Sequence, residues 1–462
     1  MNFKILMVSA FCMGFFLHAS AQENILRLSV SQAQEYAVAQ NKELQNARED
    51  IGIAEQQYRE TRGQGLPQIN GTLDYMTNFN YEAVLDFGGG ESTAPPQIDY
   101  SKLDAGDLEI LKFLQGMTAS SPSTIVMTDQ SNASVQVSQL IFGGQYWVGM
   151  QTARIGRELA RQSVNITELD VRESVTGTYQ LILVSEQIID VLDGNIRNME
   201  EIRQHTRNMY AAGMAEQTDV DQISISLSQL ENQKKSMERN VRLNYNMLRF
   251  QMGLESGREI ILTDSLQGLL NELESVSGLS SSFNMAQNPS YKMIQMQLHM
   301  QEKMVDMEKW AYAPVLTGFY SYTEKIMTTG FDISPKNAAG LNLDVPIFSS
   351  GMRKAKVDKA KIELDKVMRN KEMVEEQLNL QNDQFRYELT NAYENYYTQQ
   401  RNINVARRVL KSVQNKFRQG LVSSLDLTQA NSNYLEAESN YLNAAMELMQ
   451  ANLKLERLYN EL

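Results

Sequence analysis

Few side chains in this sequence could do chemistry. The single cysteine, Cys12, and one of the three histidines lie in a short apolar segment at the N-terminus. The remaining histidines, His205 and His299, are isolated within helix-like stretches. Beyond the apolar segment, disulfides, thiolate metal sites and cysteine nucleophiles are therefore excluded together. No histidine cluster has ligand spacing, and neither a G-x-S-x-G elbow nor a phosphate-binding loop occurs. Carboxylates are plentiful, but they fall on helix faces where solvation accounts for them. The 25 methionines are spread along the same helices, as core packing would leave them. Neither an enzyme, a cofactor nor a metal is expected.

Charge and hydropathy narrow the class further. Lys4, Ile5 to Leu17 and Ala19-Ser20-Ala21 read as a signal peptide over 1–21, cleaved before Gln22. Removing Lys4 takes the formal net charge from −13 to −14. An acidic chain without a basic patch is not a nucleic-acid partner. No later apolar run is long enough for a membrane helix. Membrane insertion would thus have to use β-strands.

The sequence repeats itself. Ala39-Gln40-Asn41 returns as Ala286-Gln287-Asn288, 247 residues on. Leu66-Pro67 with Ile69, Gly71 and Tyr75 returns at the same offset as Ala313-Pro314 with Leu316, Gly318 and Tyr322. Leu140-Ile141-Phe142 matches Pro346-Ile347-Phe348 after 206 residues, and Gly213 and Asp219 match Gly420 and Asp426 after 207. The landmarks keep their order. The first repeat therefore carries an insertion of about 40 residues between its Pro and Ile-Phe landmarks. Repeats over 22–254 and 283–462 follow, joined by an equatorial linker over 255–282.

No proline occurs between 123 and 288 or after 346. Such tracts suit long helices, because an interior proline costs about 3 kcal/mol. Leu427, Tyr434, Tyr441, Leu448, Leu455 and Leu462 recur every seven residues, with Ala430, Ala437, Ala444, Ala451 and Leu458 three behind. Leu435, Leu442 and Met449 form a second seam, so neighbours are expected on two sides. Long helices are predicted over about 145–212 and 350–419, each roughly 100 Å long. Gly213 and Gly420 read as C-cap glycines. Thr218-Asp219 and Ser423-Ser424 then offer N-caps for return helices over 218–253 and 424–462.

Strands are predicted over about 67–81, 133–143, 314–324 and 338–348. Ile69, Leu73, Tyr75, Phe79 and Tyr81 alternate with Asn70, Thr72, Asp74, Asn78 and Asn80. A soluble antiparallel sheet alternates in the same way as a membrane barrel. The export signal and the absence of a globular partner domain favour the barrel. Four strands cannot close one, and open edges are not tolerated in lipid. Association is therefore required, and three copies would supply twelve strands. The insertion, about 82–132, reads as an extracellular loop with a short helix over 104–114.

The order hairpin, long helix, Gly-x-x-x-x-x-Asp tip and return helix, given twice after a signal, resembles the TolC-like outer membrane efflux proteins. The resemblance covers essentially all of 24–462. Its carriers are the Asn41 and Asn288 segments, the two Pro and two Ile-Phe landmarks, and the tips 213–219 and 420–426. It implies an α+β membrane protein: a homotrimer with a twelve-stranded barrel continuous with a periplasmic helical barrel, set in outer membrane lipid. It also implies docking on a periplasmic adaptor and an inner-membrane transporter, for efflux or type I secretion. By the same resemblance, Asp426 matches an entrance-gate aspartate, and the following gate position falls on Gln429. Asp219 and Asp221 are the other candidate gate residues, and Gly213, Met214, Gly420 and Leu421 the candidate docking tips. A helix N-cap or a solvated acid would leave the same aspartates. The alternative function is a periplasmic structural coiled coil or an adaptor without a barrel.

Overall fold

The computed structural model describes residues 25–79, 81–85, 100–102, 104–118, 123–127, 129–275, 282–327 and 334–462. The signal segment and most of the Gly- and Pro-rich part of the insertion lie outside them. In chain order the elements are β1 (Leu26–Leu28), α1 (Val30–Gln40), α2 (Lys42–Gly63), β2 (Gln68–Met76), β3 (Tyr81–Leu85), α3 (Ala105–Thr118), β4 (Ser123–Met127) and β5 (Gln130–Phe142). Then follow α4 (Gly144–Ala211), α5 (Gln217–Gln251), β6 (Ile260–Leu262), α6 (Leu266–Ser275), α7 (Pro289–Trp310), β7 (Val315–Met327), β8 (Asn337–Asp344), α8 (Met352–Arg418) and α9 (Ser424–Tyr459). Two compact units result, and neither coincides with one repeat. One gathers the chain up to residue 54 with 157–299 and 366–462; the other gathers 55–156 and 300–365.

The first unit is helical because its helices carry apolar seams. In α9, Leu427, Ala430, Ala444, Leu448, Ala451, Leu455 and Leu458 are buried, and so are Leu442 and Met449 of the second seam. Alanine at 444, 445 and 451 lets neighbouring backbones approach. Most of the buried apolar residues gather in two clusters. One surrounds Tyr179, Ile182, Leu389, Tyr396 and Leu448; the other surrounds Met199, Ile223, Leu227, Phe417 and Leu427. The heptad expected to reach Leu462 stops earlier. Asn460 adopts a left-handed φ of 64°, which ends α9.

The recurring asparagines join helix ends. Asn41 Oδ1 accepts from Leu44 N–H at 2.9 Å, and its Nδ2 donates to the Gln251 carbonyl at 2.7 Å. Asn288 Oδ1 accepts from Ser290 and Tyr291 N–H, and its Nδ2 donates to the Leu458 carbonyl at 2.9 Å. Each asparagine thus caps the start of one helix and the end of a return helix. Gly253 closes α5 with φ +68°, and a Cβ there would meet the Gln40 carbonyl oxygen at 2.3 Å.

The segment 255–282 is more than a linker. It holds β6, which pairs in parallel with β1, and it holds α6. A three-residue strand carries too little alternation to be read from sequence. Tyr179, fully buried, fastens this pair: its hydroxyl donates to the Leu28 carbonyl at 3.0 Å and accepts from Asp264 N–H at 3.2 Å. Tyr179→Phe strands both groups, and an expected cost of about 1–2 kcal/mol should appear as a lower denaturation midpoint.

The second unit holds a four-stranded antiparallel sheet in the order β2-β5-β7-β8. The first strand ends at Met76 rather than 81. Phe79, with a positive φ of 51°, turns the chain, and β3 pairs with β4 as a separate hairpin inside the insertion. The last strand ends at Asp344, short of the expected 348, because Pro346 cannot donate to a ladder. The insertion helix, α3, runs to Thr118.

Candidate functional site

The helix tips of the first unit are built by one device used twice. Gly213 and Gly420 take φ values of +75° and +73°, where side chains other than Gly and Asn are disfavoured. Met214 N–H donates to the Met209 carbonyl and Gly213 N–H to that of Tyr210; Leu421 and Gly420 repeat both bonds to Lys416 and Phe417. Met214 and Leu421 follow these turns, and each is 68% exposed. Leu425 and Ile225 extend the exposed apolar surface on α9 and α5.

The acids sit just after these turns. Asp426 is the third residue of α9, and its Oδ2 accepts from Ser423 N–H at 3.0 Å and from the Ser423 hydroxyl at 2.7 Å. Ser423 Oγ in turn accepts from Asp426 N–H. This reciprocal capping box holds the Asp426 carboxyl below the usual carboxylate range, chiefly through the Ser423 hydroxyl. The sign follows from the lowered value. The box is complete above the ordinary carboxylate range and is lost as pH falls through Asp426's own, lower pKa.

Asp219 occupies the same place in α5, but the N-cap is Glu216, not Thr218 or Asp219. Asp219 Oδ2 accepts from Glu216 N–H at 3.0 Å. Glutamate is an unusual N-cap, so nothing in the residue type marked it. Asp219 Oδ1 also accepts the hydroxyl of Ser424, 205 residues away and buried. The two tips are thereby tied together, a link that the sequence did not signal. Ser424→Ala is expected to cost about 1–2 kcal/mol at the tip, because it deletes a hydrogen bond to a charged acceptor. Faster hydrogen exchange confined to the first turns of α5 and α9 would report it.

The other two candidates are exposed. Asp221 accepts from Gln217 Nε2 at 2.8 Å, and Gln429 donates from Nε2 to Asn433 at 2.8 Å. Both bonds lie within their own helices. Among the described residues no group of His, Cys, Asp or Glu could hold a metal. No helix among them is long and apolar enough to cross a membrane.

The sheet of the second unit largely separates two chemistries; Gln139, Glu324 and Asn337 are polar residues in the apolar rows, and Leu140 and Phe319 are apolar residues in the polar ones. The register places Ile69, Val137, Tyr320 and Ala339 in one row and Gly71, Val135 and Tyr322 in the next; Leu341 and Leu343 continue the same face. The opposite face carries Asn70, Gln136 and Ser321, then Thr72, Ser134 and Thr323, then Thr317 and Asn342. In a sheet folded in water the apolar face would be covered. Here Ile69, Leu73 and Leu341 are 70%, 73% and 71% exposed. Tyrosine hydroxyls find polar partners: Tyr75 with Asp129, Tyr320 with Asn337, Tyr322 with Glu324. The outer edges of β2 and β8 have no strand beside them among the described residues.

Residues 284–461 match the outer membrane efflux protein family. No curated protein matches by sequence. Among solved structures, CusC, described with transmembrane channel formation, superposes with a TM-score of 0.72 at 14% identity, covering 93% of this chain and 92% of its own. The CmeC outer membrane channel of Campylobacter jejuni gives 0.66 at 15% identity, covering 94% and 85%. The outer membrane protein VceC of Vibrio cholerae gives 0.67 at 13% identity, covering 93% and 95%.

Proposed function

We propose that this chain is an outer membrane efflux protein with a periplasmic helical extension, and that it is one subunit of a passive exit duct. The uncovered apolar face of the sheet carries this reading. That face suits lipid, the polar face suits a watery lumen, and the unpaired edges of β2 and β8 suit neighbouring copies. Three copies would close a twelve-stranded barrel and a twelve-helix tunnel, with residues 1–21 removed on export. The repeats 22–254 and 283–462 would each supply one hairpin and one helical pair. The duct would dock on a periplasmic adaptor and an inner-membrane transporter, which supplies the energy. No chemistry is assigned to the duct itself. Purification from outer membranes in mild detergent is expected to yield a trimer that conducts ions in planar bilayers. A soluble periplasmic monomer would overturn the reading and favour the coiled-coil or adaptor alternative.

The tips would then serve the periplasmic entrance. Asp219, Asp221 and Asp426, with Gln429, would line it, and Gly213, Met214, Gly420 and Leu421 would meet the adaptor. Asp426→Asn keeps an acceptor for the cap while removing the charge. A weaker cation preference in bilayer recordings is the expected result, and unchanged conductance and selectivity would exclude a gate role. A photo-cross-linker at Leu421 is expected to capture the adaptor in cells; capture only from mid-helix positions would exclude docking at the tips.

A further inference from the structure

A pocket of about 360 Å³ opens where the sheet of the second unit meets its helices. That volume lies within the range of small-molecule sites, about 300–1,000 Å³. Thr317 and Asn342 line it, and they pair on the polar face of the sheet. Asp344 follows on that face, two residues along β8. Trp310, at the end of α7, supplies an aromatic wall and is 45% exposed. Its indole presses on Gly144, where a Cβ would collide with it. Val315 and Pro346 add apolar surface. Two charges of opposite sign line the same pocket. The Asp344 carboxylate has neither a hydrogen bond nor an ion pair among the described residues. Arg353 is fixed: its Nη1 donates to the Pro346 carbonyl at 3.2 Å, and its guanidinium lies over the Tyr312 ring at 5.9 Å. Its other N–H groups take no partner among the described residues.

Neighbouring opposite charges attract, so a pocket that holds them unpaired leaves each for another partner. A simple cation would be drawn to Asp344 and repelled by Arg353; a simple anion would meet the reverse. A ligand that carries both charges at one end satisfies both, through charge-assisted hydrogen bonds, and an aromatic ring at its other end would stack on the indole. We propose that this pocket binds a small aromatic zwitterion, its ammonium at Asp344, its carboxylate at Arg353 and its ring on Trp310. The lumenal place of the site rests on the duct reading, in which the polar face lines the channel. There it would hold such cargo in transit.

Phenylalanine is the probe, with phenethylamine and hydrocinnamate as its cation-only and anion-only counterparts. The chain has two tryptophans, so Trp147→Phe leaves Trp310 as the reporter. This full-length protein is titrated as a trimer in detergent micelles, and Trp310 fluorescence is excited where phenylalanine does not absorb. A saturable change with phenylalanine is expected, with either counterpart weaker by roughly tenfold or more. Asp344→Asn, at an exposed position, should bring phenylalanine down to the level of hydrocinnamate. No saturable change, in a trimer that conducts ions in planar bilayers, would overturn the site and leave the duct standing. Equal binding of either counterpart would overturn it as well, and so would phenylalanine binding that Asp344→Asn leaves intact. A chain that neither trimerises nor conducts would overturn the duct reading, and the lumenal site with it.

Discussion

Val135→Arg is expected to destabilise the inserted protein by about 2–4 kcal/mol, the cost of an arginine on the lipid face near the bilayer midplane. Gln136→Arg, one residue further on, is expected to leave folding nearly unchanged. The contrast rests on register. Val135 lies between Gly71 and Tyr322, and Gln136 between Asn70 and Ser321. Both positions are exposed in the single chain, so a sheet left uncovered in water would accept either arginine with little preference. Only a low-dielectric medium on one face separates them, because hydrocarbon offers a guanidinium no hydrogen-bonding partner. Refolding into lipid bilayers across a denaturant series reads the difference. Equal midpoints for the two variants would remove lipid from the apolar face.

Asn288→Leu is expected to cost about 3 kcal/mol. The substitution keeps the number and branching of side-chain heavy atoms but strands the Ser290 and Tyr291 N–H groups and the Leu458 carbonyl, at a site 5% exposed. Each buried group left unpaired costs about 1–3 kcal/mol, and loss of an asparagine cap alone costs about 1. Asn41→Leu breaks the corresponding bonds to Leu44 and Gln251 at a half-buried site, where water replaces part of what is lost. Its cost is expected to be smaller. The order of the two denaturation midpoints, with Asn288→Leu the lower, checks both the capping role and its dependence on burial. The reverse order would mean that the asparagines do not act mainly as caps.

How much of this could be read from residues alone depends on the length and strength of each signal. Gly213 and Gly420 were legible because a helix that ends in a left-handed turn most often uses glycine there, with asparagine the usual substitute. The seams of α9 were legible because a seven-residue repeat persisted for its whole length. Asn41 and Asn288 stood out as a recurrence, but their partners Gln251 and Leu458 lie more than 150 residues away, and no local pattern points to them. The same distance hid the bond from Ser424 to Asp219. Pairing of β1 with β6 was illegible because three residues cannot establish a period. The strand pattern alone left a soluble sheet and a membrane sheet equally good. Register, which no single strand reveals, brings most of the apolar residues of four strands onto one uncovered face, with Leu140 and Phe319 among the exceptions.

Accessibility along β5 tests that face most directly. The sequence has no cysteine besides Cys12 in the predicted signal segment, so single cysteines at 133 to 138 give a clean scan in native outer membranes. A water-soluble maleimide is expected to label positions 134, 136 and 138 and to spare 133, 135 and 137, whose thiols face hydrocarbon and do not ionise, until detergent solubilisation and unfolding expose them. Equal labelling of both sets by the water-soluble reagent would contradict a sheet that divides lipid from a water-filled channel.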